Sequence, residues 1–305
     1  MKLYFNMKVD CEATQRSVNN AALGERSTRG FADLLNQHGV KGTFFVIAGD
    51  IEVHAALYLG LEKEGHEVAL HLHPGDLGYQ EFAGIYGPDE QRKMIDTAAQ
   101  RFAQAMGRRP LGFCMGYGSC NDHTFPVLAD LQFKHGQCSI PSRILPECAS
   151  VWAGAPLDIH YAHRYNRLLS GDLDFVEIPS TLDPDSRMWG GKHPQDLRVE
   201  LVDAKNHYYT IEKSVRRQIH EDVPVFSIKG STHNIFEFGD PRDFRRETAE
   251  GIITATKRIA EANGLTLLPA TTETMAAIYR KTVPLPKDGG QKVDLDTRGR
   301  KFSKH

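Results

Sequence analysis

The chain has 305 residues, 40% apolar and 25% charged, a composition that excludes collagen-like and wholly disordered proteins. Its 37 Lys and Arg against 39 Asp and Glu give a net charge of −2, so no basic excess is available to neutralise phosphates and nucleic acid is not an expected partner. A chain of this length can bury a core without disulfide or metal staples, and its longest apolar run, around Phe44–Ala48, is far too short to span a bilayer.

In chain order, Lys2–Val9 is predicted as a strand and Arg26–Gln37 as a helix with Phe31, Leu34 and Leu35 on one face. Gly42–Ala48 is a strand rich in Phe and Val, Ile51–Glu64 a helix stopped by Gly65, and Glu67–His73 a third strand. Asp89–Met106 repeats Met94, Ala98, Phe102 and Met106 at four-residue spacing and stops at Gly107. Leu111–Cys114 is a short strand, Asn121–Leu131 a helix, and Asp174–Pro179 and Pro224–Gly230 two further strands. Asp240–Asn263 is a long helix with Asp240 as N-cap, Pro241 in its first turn and Gly264 past its end. Leu265–Leu268 is the last strand. Seven or eight strands, most followed by a helix, predict an α/β protein with a largely parallel sheet, open or closed into a barrel. Pro141–Asp172 lacks a clear period, Leu182–Asn206 reads as an inserted loop, and Lys281–His305 reads as a polar tail. Loop and tail could both supply contacts in a homo-oligomer.

The five cysteines, Cys11, Cys114, Cys120, Cys138 and Cys148, are odd in number and show neither a C-x-x-C pair nor zinc-finger spacing. They read as free thiols of a reducing compartment. The first ten residues are interrupted by Asn6 and Lys8 and do not resemble a signal peptide, so the expected location is cytoplasmic.

Three clusters can carry chemistry. Asp10 and Glu12 lie at the end of the first predicted strand, and strand alternation points both to one side. Two neighbouring carboxylates are costly unless a cation or a shared proton relieves them. His71 and His73 share a face at the end of the third strand, and two imidazoles with one carboxylate form an open zinc site with room for water. Ser231-Thr232-His233-Asn234 follows a late strand, where His233 could protonate a leaving group. Each is weak alone, since 14 histidines are scattered along the chain.

Together they resemble a known family. Met7–Glu12, then Gly42-Thr43-Phe44-Phe45-Val46, then Gly65-His66-Glu67-Val68-Ala69-Leu70-His71 are similar in order and spacing to the motifs of the polysaccharide deacetylase (NodB-like) family. Arg109–Phe113 with Asn121, Thr124 and Leu128 resembles the third-motif segment, Glu177-Ile178-Pro179 the later "EIP" strand, and Ser231–Asn234 the region of the catalytic His. The resemblance covers roughly 1–280. It implies a distorted (β/α) barrel of seven or eight strands as one catalytic unit over 1–280, with a loop inserted at about 182–206 and a tail at 281–305. It further implies a divalent metal, usually zinc, held by Glu12, His71 and His73, with Asp10 as base and His233 as acid. The implied reaction removes an acetyl group, N-linked more readily than O-linked, from a carbohydrate. Tyr117 could line the pocket and offer a backbone N–H to the oxyanion, and Trp152 could stack on a sugar ring.

The sequence departs from the family pattern at three places. The commonest second metal His stands four residues after the first, where this chain has Gly75; His73, followed by Pro74, resembles an "HLHP" branch. The metal carboxylate is Glu12 rather than Asp. The third-motif Arg that orients the base is replaced by Cys114, and Lys229 is the expected substitute for its charge. That loss leaves room for two alternatives on the same fold: a hydrolase of a non-sugar C–N bond such as a cyclic imide or ureide, and a catalytically silent carbohydrate-binding relative.

Overall fold

The computed structural model describes residues 1–287; the polar tail predicted for 281–305 lies outside the described residues from 288 onward. Five strands open the fold: β1 (Lys2–Cys11), β2 (Gly42–Val46), β3 (Glu67–Leu72), β4 (Gly112–Met115) and β5 (His135–Gly136). They pair in parallel in that order, separated by helices α1 (Ala21–Gln37), α2 (Ala48–Lys63), α3 (Pro88–Met106) and α4 (Thr124–Asp130). A small hairpin, β6 (Ile144–Leu145) with β7 (Ser150–Val151), precedes β8 (His160–Tyr161) and β9 (Val176–Glu177). β9 pairs in parallel with β5, and β8 closes that edge antiparallel. A second hairpin, β10 (Leu182–Met188) and β11 (His193–Asp196), is followed by α5 (Ala204–His220), β12 (Phe226–His233), α6 (Phe244–Ala262), β13 (Thr266–Pro269) and α7 (Thr272–Thr282).

The nine-stranded sheet runs β12-β1-β2-β3-β4-β5-β9-β8, with β13 also on β1. It curls into a distorted (β/α) barrel, as the family resemblance implies. β1 is its axis. β12 borders it from Leu3 to Asp10 along one edge; β13 at Lys2–Phe5 and β2 at Met7–Cys11 share the other. Side-chain alternation then divides β1 into two faces. Leu3, Phe5, Met7, Val9 and Cys11 join the main apolar core with Phe31, Leu35, Ile252 and Ile253 of the surrounding helices. Asn6, Lys8, Asp10 and Glu12 form the other row, buried although polar. Asn6 donates to Thr43 Oγ1 and to the Ala270 carbonyl, and the buried Glu67–His135 pair lies 2.6 Å apart.

Several predicted boundaries move for identifiable reasons. α1 begins at Ala21, capped by Asn20, whose side chain accepts from Leu23 N. The cap of α6 is Asp243, not Asp240; Asp240 instead accepts the Asp243 N–H in the turn before it. The segment 182–206 is no plain loop but the β10–β11 hairpin and the start of α5. α5 escapes sequence reading because its buried face consists of His207, Thr210, Ser214 and Gln218 beside Ile211 and Val215. All five cysteines are free, four of them buried. No helix among the described residues is long and apolar enough to cross a membrane.

Glu177 on β9 is buried and tests this interior. Its Oε1 accepts from the backbone N–H groups of Cys138 and Ser139 and from Ser139 Oγ, while Oε2 has no partner. Burial outweighs these bonds and pushes the carboxyl up to about 7. The folded state thus holds a proton that the unfolded chain releases near pH 4.5, so this contribution to stability is present at low pH and is lost as pH rises to about 7. Glu177→Gln should remove that dependence: the wild-type-minus-variant stability, from denaturant melts, should fall by roughly 3 kcal/mol between acid and neutral pH, at about 1.4 kcal/mol per pH unit. A pH-independent difference would show that folding does not shift the Glu177 carboxyl at all.

Candidate functional site

β1, β3, β4 and β12 end around one cavity of about 150 Å³, lined by Lys8, Asp10, Glu12, His71, His73 and His233 among others. Glu12 is fixed by the turn that follows β1. Its N–H donates to Asn234 Oδ1, Asn234 Nδ2 donates to Asp50, and Asp50 accepts from Ala13 N and Thr14 N. Asn234 N also donates to the Asp10 carbonyl, which locks the end of β12 and therefore His233 onto β1.

Three donor atoms converge beside this turn. Glu12 Oε2 is 2.8 Å from His73 Nε2 and 3.5 Å from His71 Nε2, and the two Nε2 atoms are 3.1 Å apart. The far nitrogens are occupied. His71 Nδ1 lies 3.2 Å from the Cys114 carbonyl, which can only accept, and His73 Nδ1 faces the Glu81 carboxylate. Both rings are thereby set with Nδ1–H outward and the Nε2 lone pair inward, the orientation of metal-ligating histidines with hydrogen-bonded outer partners. Three inward lone pairs at these distances repel one another unless a cation or proton sits among them, so the donor set fits a divalent ion. An overlapping set, Asp10, His71 and Cys114, fits less well: Cys114 Sγ donates to the Gln137 carbonyl, and burial pushes its thiol up, away from the thiolate a metal needs.

The position of His73 follows from two glycines. A Cβ on Gly75, the place of the commoner ligand, would push aside the end of Glu81, the carboxylate that holds His73. A Cβ on Gly116, just past β4, would lie 2.7–2.9 Å from three atoms of the His73 ring, so the chain can pass under that ring there only as glycine.

Asp10 lies beside this cluster. Its Oδ2 is 3.0 Å from Lys8 Nζ and its Oδ1 is buried without a hydrogen-bond partner. Burial opposes its charge, yet Lys8, His71 and His233 overcome that and hold the carboxyl below the usual carboxylate range. Lys8 answers the question of the missing Arg. Lys229, the expected substitute, does not reach Asp10: it donates to Ser227 Oγ, and burial lowers it to about 8. Lys8 was within reach of sequence reasoning, because it stands two residues before Asp10 on the same strand face.

His233 Nε2 is 4.0 Å from both Asp10 Oδ2 and Glu12 Oε1, and its Nδ1 is held by Glu200. Burial would lower its pKa, but Glu200, Glu12 and Asp10 outweigh it and raise it. Glu200 follows β11 in the segment read as a loop, and a parallel bridge between Arg198 and Ser231 brings it to β12. Tyr117 lines the cavity, 50% exposed, with its backbone at φ 58° and its ring edge-on to His73. Trp152 corrects the expectation of a sugar-stacking surface: it is fully buried, packs on Phe125, and donates Nε1–H to the Gly118 carbonyl beneath the Tyr117 turn.

Comparison with known proteins agrees with this picture. The family model for polysaccharide deacetylase matches residues 19–136. A comparison with curated proteins returned no match. Among solved structures, a protein assigned as a polysaccharide deacetylase from Mycobacterium smegmatis superposes with TM-score 0.61 at 16% identity, covering 95% of each chain. One so assigned from Pseudomonas aeruginosa PAO1 gives 0.62 at 12% identity over 93% of each chain. Puue allantoinase gives 0.59 at 14% identity over 92% of this chain and 91% of its own. The family model thus matches the N-terminal part of the chain, and the solved structures show that the whole chain shares the fold of these proteins.

Proposed function

We propose that this protein is a metal-dependent amide hydrolase that removes the acetyl group from an N-acetylated carbohydrate. The observation that carries the reading is the convergence of Glu12 Oε2, His71 Nε2 and His73 Nε2 beside an ionised Asp10 whose Oδ1 has no other partner. A divalent ion there, zinc by the nature of the donors, would supply Lewis-acid polarisation and a more acidic water. Asp10, kept charged by Lys8, accepts the proton of the attacking water at its free Oδ1. The backbone N–H of Tyr117 is the donor for the developing oxyanion. His233, protonated and oriented by Glu200, delivers a proton to the leaving nitrogen.

The size of the cavity also suits a second reading. At about 150 Å³ it is smaller than the roughly 300–1,000 Å³ of sites that enclose drug-sized ligands. A compact cyclic ureide or imide would fit such a space as well as an acetamido group with one sugar ring outside it. Acetate release from N-acetylated sugars, set against ring opening of small cyclic amides, separates the two. A protein with neither metal nor turnover would instead be a binding relative.

Asp10→Asn keeps size and hydrogen bonding but cannot take a proton at neutral pH, so it should retain metal and lose about 100- to 10,000-fold in turnover. Glu12→Ala should lose metal as well as turnover. Metal content by mass spectrometry beside hydrolysis rate reads both, and metal loss confined to Asp10→Asn would exchange their roles.

Lys8→Met removes the cation that holds Asp10 and should lower turnover at least about tenfold with metal content unchanged. Normal turnover in that variant would mean that another group orients the base.

Gly116→Ala should displace the His73 ring and weaken zinc binding by about 10- to 100-fold, the usual effect of disturbing a ligand's support. Competition with a chelating dye measures it; unchanged affinity would exclude His73 as a ligand.

A further inference from the structure

One part of the cavity lining is cationic and is not used by the chemistry above. Arg143, just before β6, and Arg198, just after β11, both line the cavity. Arg143 is only 4% exposed. Its Nη1 donates to the Tyr117 carbonyl, its Nε has no partner, and its guanidinium lies over the Trp189 ring at 5.9 Å. Among the described residues it has no ion-pair partner. The nearest carboxylate influence comes from Asp196, already committed to Arg198 at 3.1 Å and lying 3.3 Å from His193. Arg198 is well compensated by Asp196, Glu200 and Asp10. Arg143 is not: burial and the nearby Arg198 lower its pKa to about 10.

A buried guanidinium without a counter-ion is unfavourable unless an anion arrives to pair with it. The arrangement cannot be assigned to packing alone, because an apolar side chain would fill the space without burying a charge. The planar fork of Arg suits carboxylate and phosphate oxygens alike. The carboxylates elsewhere in the cavity do not forbid an anion at this end, since Asp10 is paired with Lys8 and Glu12 belongs with His71 and His73 to the set that would hold the cation.

We propose that the substrate carries an anionic group, a carboxylate or a phosphate, which pairs with Arg143 beside Arg198, so that Arg143 sets specificity for acidic saccharides. The sugar to which the anion is attached rests on the reading under Proposed function; the anion itself does not.

The test uses the full chain and three probes: N-acetylglucosamine, its 6-phosphate and N-acetylglucosaminuronate. Titration calorimetry reads binding and acetate release reads turnover on each. At least one acidic probe should bind about tenfold or more tighter than the neutral one, and which acidic probe binds better distinguishes phosphate from carboxylate. Arg143→Gln should bring that preference to within about threefold of none, and Arg143→Lys should keep part of it. A bound metal would also attract an anion, so wild type and variants are compared at equal metal content. Equal binding of all three probes by the wild type, or no binding of either acidic probe at millimolar concentration, overturns the inference even if a variant fails to fold. Preference surviving intact in a folded Arg143→Gln overturns it too. Tighter acidic binding without acetate release would leave the inference standing while removing the deacetylase reading. Acetate release from all three with equal binding would do the reverse.

Discussion

The two-residue alternation of β1 is the constraint on which the rest of the structure depends. It sends Leu3, Phe5, Met7, Val9 and Cys11 into the apolar core and commits Asn6, Lys8, Asp10 and Glu12 to the other, polar row. Burying that row is expensive, and each member is therefore matched to a partner on another strand or on β1 itself. Asn6 donates near the start of the row to Thr43 and the Ala270 carbonyl, Lys8 and Asp10 neutralise one another in the middle, and Glu12 meets two imidazoles at the end. A one-residue slip of β1 would place the carboxylates among the helices and Phe5 in the cavity, so register and site are specified together.

The parts of the fold legible in the sequence were those with apolar periodicity. β1–β3, α3 and most of α6 declare themselves in this way, and the same alternation rule brings Asp10 with Glu12 and His71 with His73. What stayed hidden had polar residues at buried positions. β10 reads Leu-Asp-Pro-Asp-Ser-Arg-Met and offers no alternation, so the hairpin that introduces Arg198 and Glu200 looked like loop. Trp152, an aromatic close to Gly and Pro, resembles an exposed platform in sequence, whereas its indole N–H is spent on the Gly118 carbonyl inside the protein. Lys8 is hidden for a different reason: it stands two residues before the base on β1, whereas the resemblance places the orienting cation on β4.

The outer partners show how much of the site lies beyond its reacting groups. The Cys114 carbonyl, Glu81 and Glu200 each hold the far nitrogen of one histidine, and Asp50 with Asn234 fixes the turn that carries Glu12. These contacts come from five separate stretches of chain, and none has a sequence signature of its own. They also account for the departures from the family pattern in physical terms. Glu81 occupies the space that a side chain at position 75 would need, and Lys8 supplies beside Asp10 the positive charge that Cys114 cannot.

The central claim is that Glu12, His71 and His73 form a metal centre with Asp10 poised beside it. X-ray diffraction from crystals grown with zinc, recorded on both sides of the zinc absorption edge, tests it most directly. The account predicts one dominant anomalous peak at this site, with Glu12 oxygen and the Nε2 atoms of His71 and His73 each about 2.0–2.2 Å away and Asp10 outside bonding distance. An absent peak, or a metal bound through Asp76 or Cys114 with His73 turned away, would contradict it.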